Sequence, residues 1–282
     1  MAGRRAAGLS LWRPGVDWTV ADHTEPELSY LPTRLWLIGL GNLGQAFAWL
    51  LACLPYRSRA EVELILQDFD RIAESNDSTS MLSWLALVGV KKTRAVGAWI
   101  ERAGFSASFE ERRFGAWIHR SSHEPGVAFC GVDNALTRAD LGGAGFDLVV
   151  EAGLGAGPGG FRNFSMHTFP SSRTPEQIWP RHVQATVADV SSLPAYAALK
   201  KSGLDACGLA QLASRTVGVP FVGLIAAAFA VSEPLRRLHG AEGLEFVSGS
   251  VANLEDLEAA RLGLTPYSHG HQRAAQLDNR MC

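Results

Sequence analysis

The stretch from Arg34 to Cys53 constrains the fold more than any other, because it joins two apolar segments through a turn built on glycine. Arg34-Leu35-Trp36-Leu37-Ile38-Gly39-Leu40 is a short apolar run ending in glycine, the pattern of a strand buried on both faces in a parallel sheet. Gly44 to Cys53 then reads as an apolar helix. Between them lies Gly39-Leu40-Gly41-Asn42-Leu43-Gly44, a G-x-G-x-x-G sequence in the strand-then-helix setting that gives this motif meaning. Glycines here let the backbone turn tightly and approach phosphates, whose charge meets unpaired N–H groups and the dipole at the helix start. The competing reading is a turn that only packs helix on strand. A nucleotide is the ligand such a turn is expected to hold.

Glu61 to Asp68 reads as the next strand, and Met81 to Arg102 as a helical region with a break at Gly89. Further strands are expected at Ala107 to Arg113, Val127 to Val132 and Phe146 to Ala152. Strands alternating with helix-length stretches imply an α/β fold, Rossmann-like and doubly wound, with a mainly parallel sheet. A glycine-rich turn at Gly153 to Gly160 precedes Phe161 to Phe169, which alternates like a returning strand, so antiparallel additions are expected in the C-terminal half. Residues 1–33 are expected to form an N-terminal arm, residues 34–255 a nucleotide-binding domain, and residues 256–282 a loose tail. The domain includes a crossing segment, 171–206, with one helix near Leu193 to Lys201. Pro220 and Pro234 are expected to break the Ala-, Val- and Leu-rich stretch Gly208 to His239.

At 282 residues, with 47% hydrophobic and 19% charged residues, the chain can bury a substantial core. A net charge of −2 with no cluster of Lys and Arg among aromatics argues against nucleic acid as a partner. The longest apolar run, Val217 to Val231, is too short for the ~20 residues of a membrane span, and no secretory signal is evident, so the expected location is cytoplasmic. Cys53, Cys130, Cys207 and Cys282 form no C-x-x-C pair, which argues against a zinc site and a disulfide framework.

Asp68 and Asp70 flank Phe69 at the end of the second strand, where a carboxylate can accept hydrogen bonds from a ribose. For Asp70 a solvated turn is the competing reading. An NAD-dependent oxidoreductase would show the same glycine loop and acidic strand end, so these residues alone leave ATP and NAD open.

Further segments, taken in order, resemble the ThiF/MoeB/HesA family of ubiquitin-activating-enzyme-like adenylyltransferases. The family's D-x-D, S-N, G-x-x-K and T-D-N…R segments are matched by Asp68-Phe69-Asp70, Ser75-Asn76, Gly89-Val90-Lys91-Lys92, and Val132-Asp133-Asn134 with Arg138. The likeness runs over about residues 34 to 240, where the stretch after Cys207 is similar to the family's last helical segment. It implies ATP and Mg²⁺ as cofactors, with Gly39, Gly41, Asn42, Leu43, Gly44, Asp68, Asp70 and Asn76 around the nucleotide. It also implies Lys92 on the phosphates, Asp133 on Mg²⁺ and Cys207 as an acyl-accepting thiol. The implied reaction is adenylation of the C-terminal carboxylate of a small ubiquitin-like or sulfur-carrier protein, by a homodimer. Competing local readings are an exposed helix lysine for Lys92, a helix cap for Asp133, an ordinary turn for Asn76 and a small core residue for Cys207. Arg138 is expected only to support a helix face or to pair with Asp140.

One departure stands out. Where the family carries an arginine facing the terminal phosphates, this chain has Thr79. Arg71, Arg94 or an arginine of the arm (Arg4, Arg5 or Arg13) is a candidate substitute, and a non-catalytic scaffold subunit becomes a further competing function.

Overall fold

The apolar run at residue 34 becomes strand β2 (Arg34–Ile38), buried from Leu35 to Ile38 and preceded by the short β1 (Tyr30–Pro32). Alternate residues of β2 feed different cores. Leu35 and Leu37 join one apolar cluster, Trp36 and Ile38 the other, so the strand lies in the middle layer of a sandwich. The computed structural model describes residues 10–14, 25–155, 160–181, 201 and 218–276.

After β2 come helix α1 (Asn42–Cys53), β3 (Glu63–Gln67), the short α2 (Asn76–Thr79), α3 (Lys92–Arg102), β4 (Ser106–Glu110), β5 (Val127–Cys130), α4 (Ala135–Ala139) and β6 (Leu148–Leu154). Strands β4, β3, β2, β5 and β6 lie side by side in that order, all parallel. The order places the carboxyl ends of β2 and β5 next to each other, where open α/β sheets form their crevice. Strand β7 (Asn163–Phe169) returns antiparallel along β6, and β8 (Gly243–Ser250) and β9 (Asn253–Gly263) continue the sheet antiparallel. The fold is thus the expected α/β architecture: an eight-stranded sheet, parallel in its first half, with antiparallel strands added at the C-terminal end.

Two expectations at the chain's ends change. Residue 255 falls inside β9, and residues 271–273 form β10 (His271–Arg273), which pairs antiparallel with β1. Three-residue strands held by backbone pairing carry no side-chain period, so neither was visible in the sequence. Gln272 adds a side-chain clamp, accepting from the Ser58 amide and donating to the Ser58 carbonyl, each at 2.9 Å.

The region from Met81 to Arg102 is helical only from Lys92; Gly89, at φ +87°, marks the break, and a single 3₁₀ turn (Leu85–Leu87) precedes it. Past the small α5 (Pro175–Ile178), the longest helix is α6 (Pro220–Leu238), and neither proline breaks it. Pro220 occupies the first turn, where its missing N–H costs nothing. Pro234 sits in the interior, in a stretch buried from Phe229 to Arg237, and that burial outweighs the lost bond. Among the described residues, no helix is long and apolar enough to cross a membrane.

Helix α6 carries an unusual buried charge set. Fully buried Glu233 accepts from Arg236, from Arg237 Nε at 2.8 Å and from the Leu244 amide at 3.0 Å, while Arg236 also reaches Ser232 Oγ at 2.7 Å. Desolvation lowers the pKa of the Arg236 guanidinium, and the Glu233 carboxylate opposes that. Removing the carboxylate strands two cations inside the protein. Glu233→Ala is expected to lower the unfolding free energy by about 3–5 kcal/mol, read from urea denaturation; a loss below 1 kcal/mol would show that the pair does not hold α6 to β8.

Candidate functional site

The turn after β2 is shaped by close backbone contacts. Gly39 has φ +82° and donates its amide to the Gln67 carbonyl at 2.8 Å. A Cβ on Gly44 would lie 1.8 Å from the Gly39 carbonyl oxygen, so only glycine lets α1 pack this tightly on the turn. Nothing lies within 4 Å of where a Cβ on Gly41 would stand. Helix α1 has no side-chain cap and no acidic residue in its first turn. Among the described residues its leading N–H groups therefore have no side-chain acceptor.

Asp68 braces this turn. Only 8% exposed, it accepts the Leu40 amide at 2.7 Å through one oxygen and the Asp70 amide at 2.8 Å through the other. Each carboxylate oxygen thus holds one main-chain amide and keeps a further lone pair, and Asp68 lines the cleft where the ribose contact was expected. Asp70, exposed, meets Lys92 Nζ at 3.2 Å, which sets the lysine ammonium at the rim of the turn after β3. Asn76 accepts the Ala73 amide at 2.9 Å and shapes its own turn. Thr79 donates to the Ser75 carbonyl at 2.8 Å, and its own carbonyl receives Asn42 Nδ2 at 2.6 Å.

These groups surround a cleft of about 750 Å³. Gly39, Gly41, Asn42 and Leu43 line it from the loop, and Asp68, Asp70, Asn76 and Lys92 from the neighbouring strand end and helices. Asp133 faces them from beyond β5. Gly44 lies behind the loop and shapes it without lining the cleft. Cys207 lies outside the described residues.

Asp133 does not cap α4. Asn134 does so, accepting the Thr137 amide at 3.1 Å. The exposed Asp133 carboxylate has no hydrogen-bond or ion-pair partner among the described residues.

Arg138 departs from its expected pairing. Its Nε donates to the Val132 carbonyl at 2.8 Å and stands 3.0 Å from fully buried Glu151, whose other oxygen meets His167 Nδ1 at 3.0 Å. Asp140 pairs instead with Arg181. Of the candidate substitute arginines, Arg94 is closed on Glu111 at 2.7 Å and stacked on Phe109, away from the cleft. Arg71 lines the cleft, with one bond to the Gly89 carbonyl at 2.7 Å. Arg4 and Arg5 lie outside the described residues.

Several supporting residues escaped the sequence reading. Gln45, fully buried, donates to the Leu40 carbonyl at 3.1 Å and to Ser83 at 2.9 Å, and accepts the Leu82 amide at 2.7 Å. It ties the loop to the segment before α3, although its position on an apolar helix gave no sign of this. Arg113 also lines the cleft, and no motif drew attention to it.

Comparison with known proteins places this arrangement among relatives. Residues 31–241 match the family model of the BilD C-terminal domain. The bacterial E1-like protein BilD of Collimonas sp. (strain OK412) is 61% identical over 274 residues, which make up 97% of this chain and 59% of that protein. The chain thus spans less than two thirds of that relative. Among solved structures, E. coli MccB aligns with TM-score 0.54 at 13% identity, over 83% of this chain and 63% of MccB. E. coli MccB solved with ATP gives TM-score 0.51 at 13% identity, over 83% and 65%. At such identity the MccB likeness is one of fold.

Two measurements check the geometry. Burial, and next the Glu151 carboxylate, push the Cys130 thiol up to about 12, so it stays protonated at pH 8. Iodoacetamide at pH 8 is expected to label exposed Cys53 in the native protein and leave Cys130 unmodified, read by peptide mass spectrometry. Asp68→Ala removes the acceptor of two amides and is expected to cost about 3 kcal/mol in stability; an unchanged melting temperature would refute the bracing role.

Proposed function

This chain belongs to the BilD C-terminal domain family, and on that basis we propose that it is an ATP-dependent adenylyltransferase. Its proposed substrate is the C-terminal carboxylate of a small ubiquitin-like or sulfur-carrier protein. The single observation that carries the reading is the cleft itself, which sets the uncapped start of α1, the Lys92 ammonium and the uncommitted Asp133 carboxylate around one space. A crystal structure of E. coli MccB holds ATP, and a structure of the microcin C7 biosynthetic enzyme MccB holds N-formylated MccA. Those complexes support reading the matching cleft as a nucleotide site with a second substrate beside it.

In the proposed reaction a carboxylate oxygen attacks the α-phosphorus of ATP. A C–O–P bond forms, the bond from the α-phosphorus to the bridging oxygen breaks, and pyrophosphate departs with that oxygen. The N–H groups at the start of α1 hold phosphate oxygens in place. Lys92 offsets charge on the triphosphate, and Asp70, beside it, accepts a ribose hydroxyl. Asp133 fits Mg²⁺, because that ion commonly takes one or two protein carboxylates and completes its shell with phosphate oxygens and water. Bound there, the ion would neutralise phosphate charge.

The proposed second step lies on Cys207, whose thiolate attacks the acyl carbon to form a thioester and release AMP. The proposed working unit is a homodimer.

ATP–pyrophosphate exchange tests the reading. Exchange is expected on adding a carrier that ends in Gly-Gly and is expected to fall at least about 100-fold in Asp133→Ala. Exchange unaffected by that change would sink the assignment, and NAD binding in place of ATP binding would favour an oxidoreductase. Cys207→Ala is expected to keep exchange and lose the thiol-sensitive carrier adduct.

A further inference from the structure

Phe69 is a large apolar side chain that stays 40% exposed although it lines the cleft. Its flanking residues are already engaged: Asp68 holds two backbone amides, and Asp70 meets Lys92. The Arg113 guanidinium lies over the Phe69 ring, 4.3 Å from its centre. Nearby carboxylates are taken by neighbouring arginines. Glu110 is closed on Arg112 by bonds of 2.8 and 2.9 Å, and Glu111 on Arg94 at 2.7 Å. Arg113 therefore keeps its N–H donors open, with no hydrogen bond or ion pair among the described residues.

The strand order says what part of a ligand arrives there. Phosphates bind at the turn after β2, and Asp133 faces them from β5 on one side. Phe69 and Arg113 follow β3 and β4 on the other side, with Asp70 next to Phe69. A nucleotide with its phosphates at the loop and its ribose at Asp70 extends its base toward this pair. Resting on the proposed nucleotide function, we propose that Phe69 and Arg113 form a stacking platform for the nucleobase, with Arg113 determining nucleotide specificity. Phe69 props the guanidinium flat. The open face of Arg113 stacks on a purine, and its edge N–H groups donate to ring nitrogens. A lysine there keeps the charge but loses the plane.

Binding measured by calorimetry, with ATP and inorganic tripolyphosphate as probes, separates base from phosphate. Both Arg113→Ala and Arg113→Lys are expected to weaken ATP about tenfold, as loss of one base-stacking contact predicts, and to change tripolyphosphate affinity less than twofold. Phe69→Leu is expected to weaken ATP in the same selective way. Both side chains are exposed, so folding is expected to survive all three changes. Equal weakening of both probes in Arg113→Ala, or full ATP binding in Arg113→Lys, would show a plain charge role and overturn the proposal. Failure of the unmodified chain to bind ATP would overturn the nucleotide function and this inference together, whereas ATP binding indifferent to all three changes would overturn the inference alone.

Discussion

The carboxylate of Asp68 accepts one amide from the glycine turn and one from the turn after its own strand, so a single buried charge fixes two adjacent loops. Charge-assisted bonds to amides are stronger than neutral ones, and two of them compensate for burying the carboxylate. The glycine turn is closed from behind by the contact of Gly44 with the Gly39 carbonyl, and from the side by Gln45. The start of α1 thus lines the cleft through Gly41, Asn42 and Leu43 with no side-chain cap on its N–H groups. A flexible loop would have to lose conformational entropy when the anion arrives; this one has lost it already.

The rest of the sheet keeps that loop at the right end of the molecule. Strands β2, β3 and β5 alternate their side chains between two cores, so helices must cover both faces and the strand ends are left open. Helix α6 covers one face, and its first turn comes close to the loop: a Cβ on Gly223 would lie 1.7 Å from Asn42 Oδ1. That oxygen is buried with no hydrogen-bond partner among the described residues, while the amide nitrogen of the same side chain holds the Thr79 carbonyl. Asn42 is therefore a joint between the loop, α2 and α6. The buried Glu233 set, near the far end of α6, anchors the helix that makes this joint.

How much of this could be read from the chain depends on whether the signal is local. The strand, turn and helix from Arg34 to Cys53 were legible because apolar period and glycine spacing are properties of adjacent residues. The place of Asp133 was legible for the same reason, since it follows an apolar strand. The bracing role of Asp68 was not legible: its partners come from two loops, one of them following another strand, and no spacing encodes that. Arg138 on α4 meets Glu151 on β6, and Asp140 was the wrong partner because sequence proximity stood in for contact. Gln45 looked like a polar residue on an apolar helix. Arg113 was invisible because its partner is a ring rather than a charge.

Charge balance in the cleft bears on the arginine that Thr79 replaces. Asp70 is paired with Lys92 and Arg138 with Glu151, so these charges cancel locally, whereas Asp68 is hydrogen-bonded by neutral amides and keeps its charge. What remains among the described lining residues is Asp68 and Asp133 against Arg71 and Arg113, two negative charges against two positive ones before any metal. A triphosphate brings several negative charges, and in a cleft shielded from bulk water each unbalanced one is costly. The two cations stand after β3 and β4, while the carboxylate suited to a divalent ion stands after β5. With Mg²⁺ at Asp133, as proposed, positive charge would reach the proposed nucleotide from both sides of the loop, so an arginine at residue 79 would not be the necessary source.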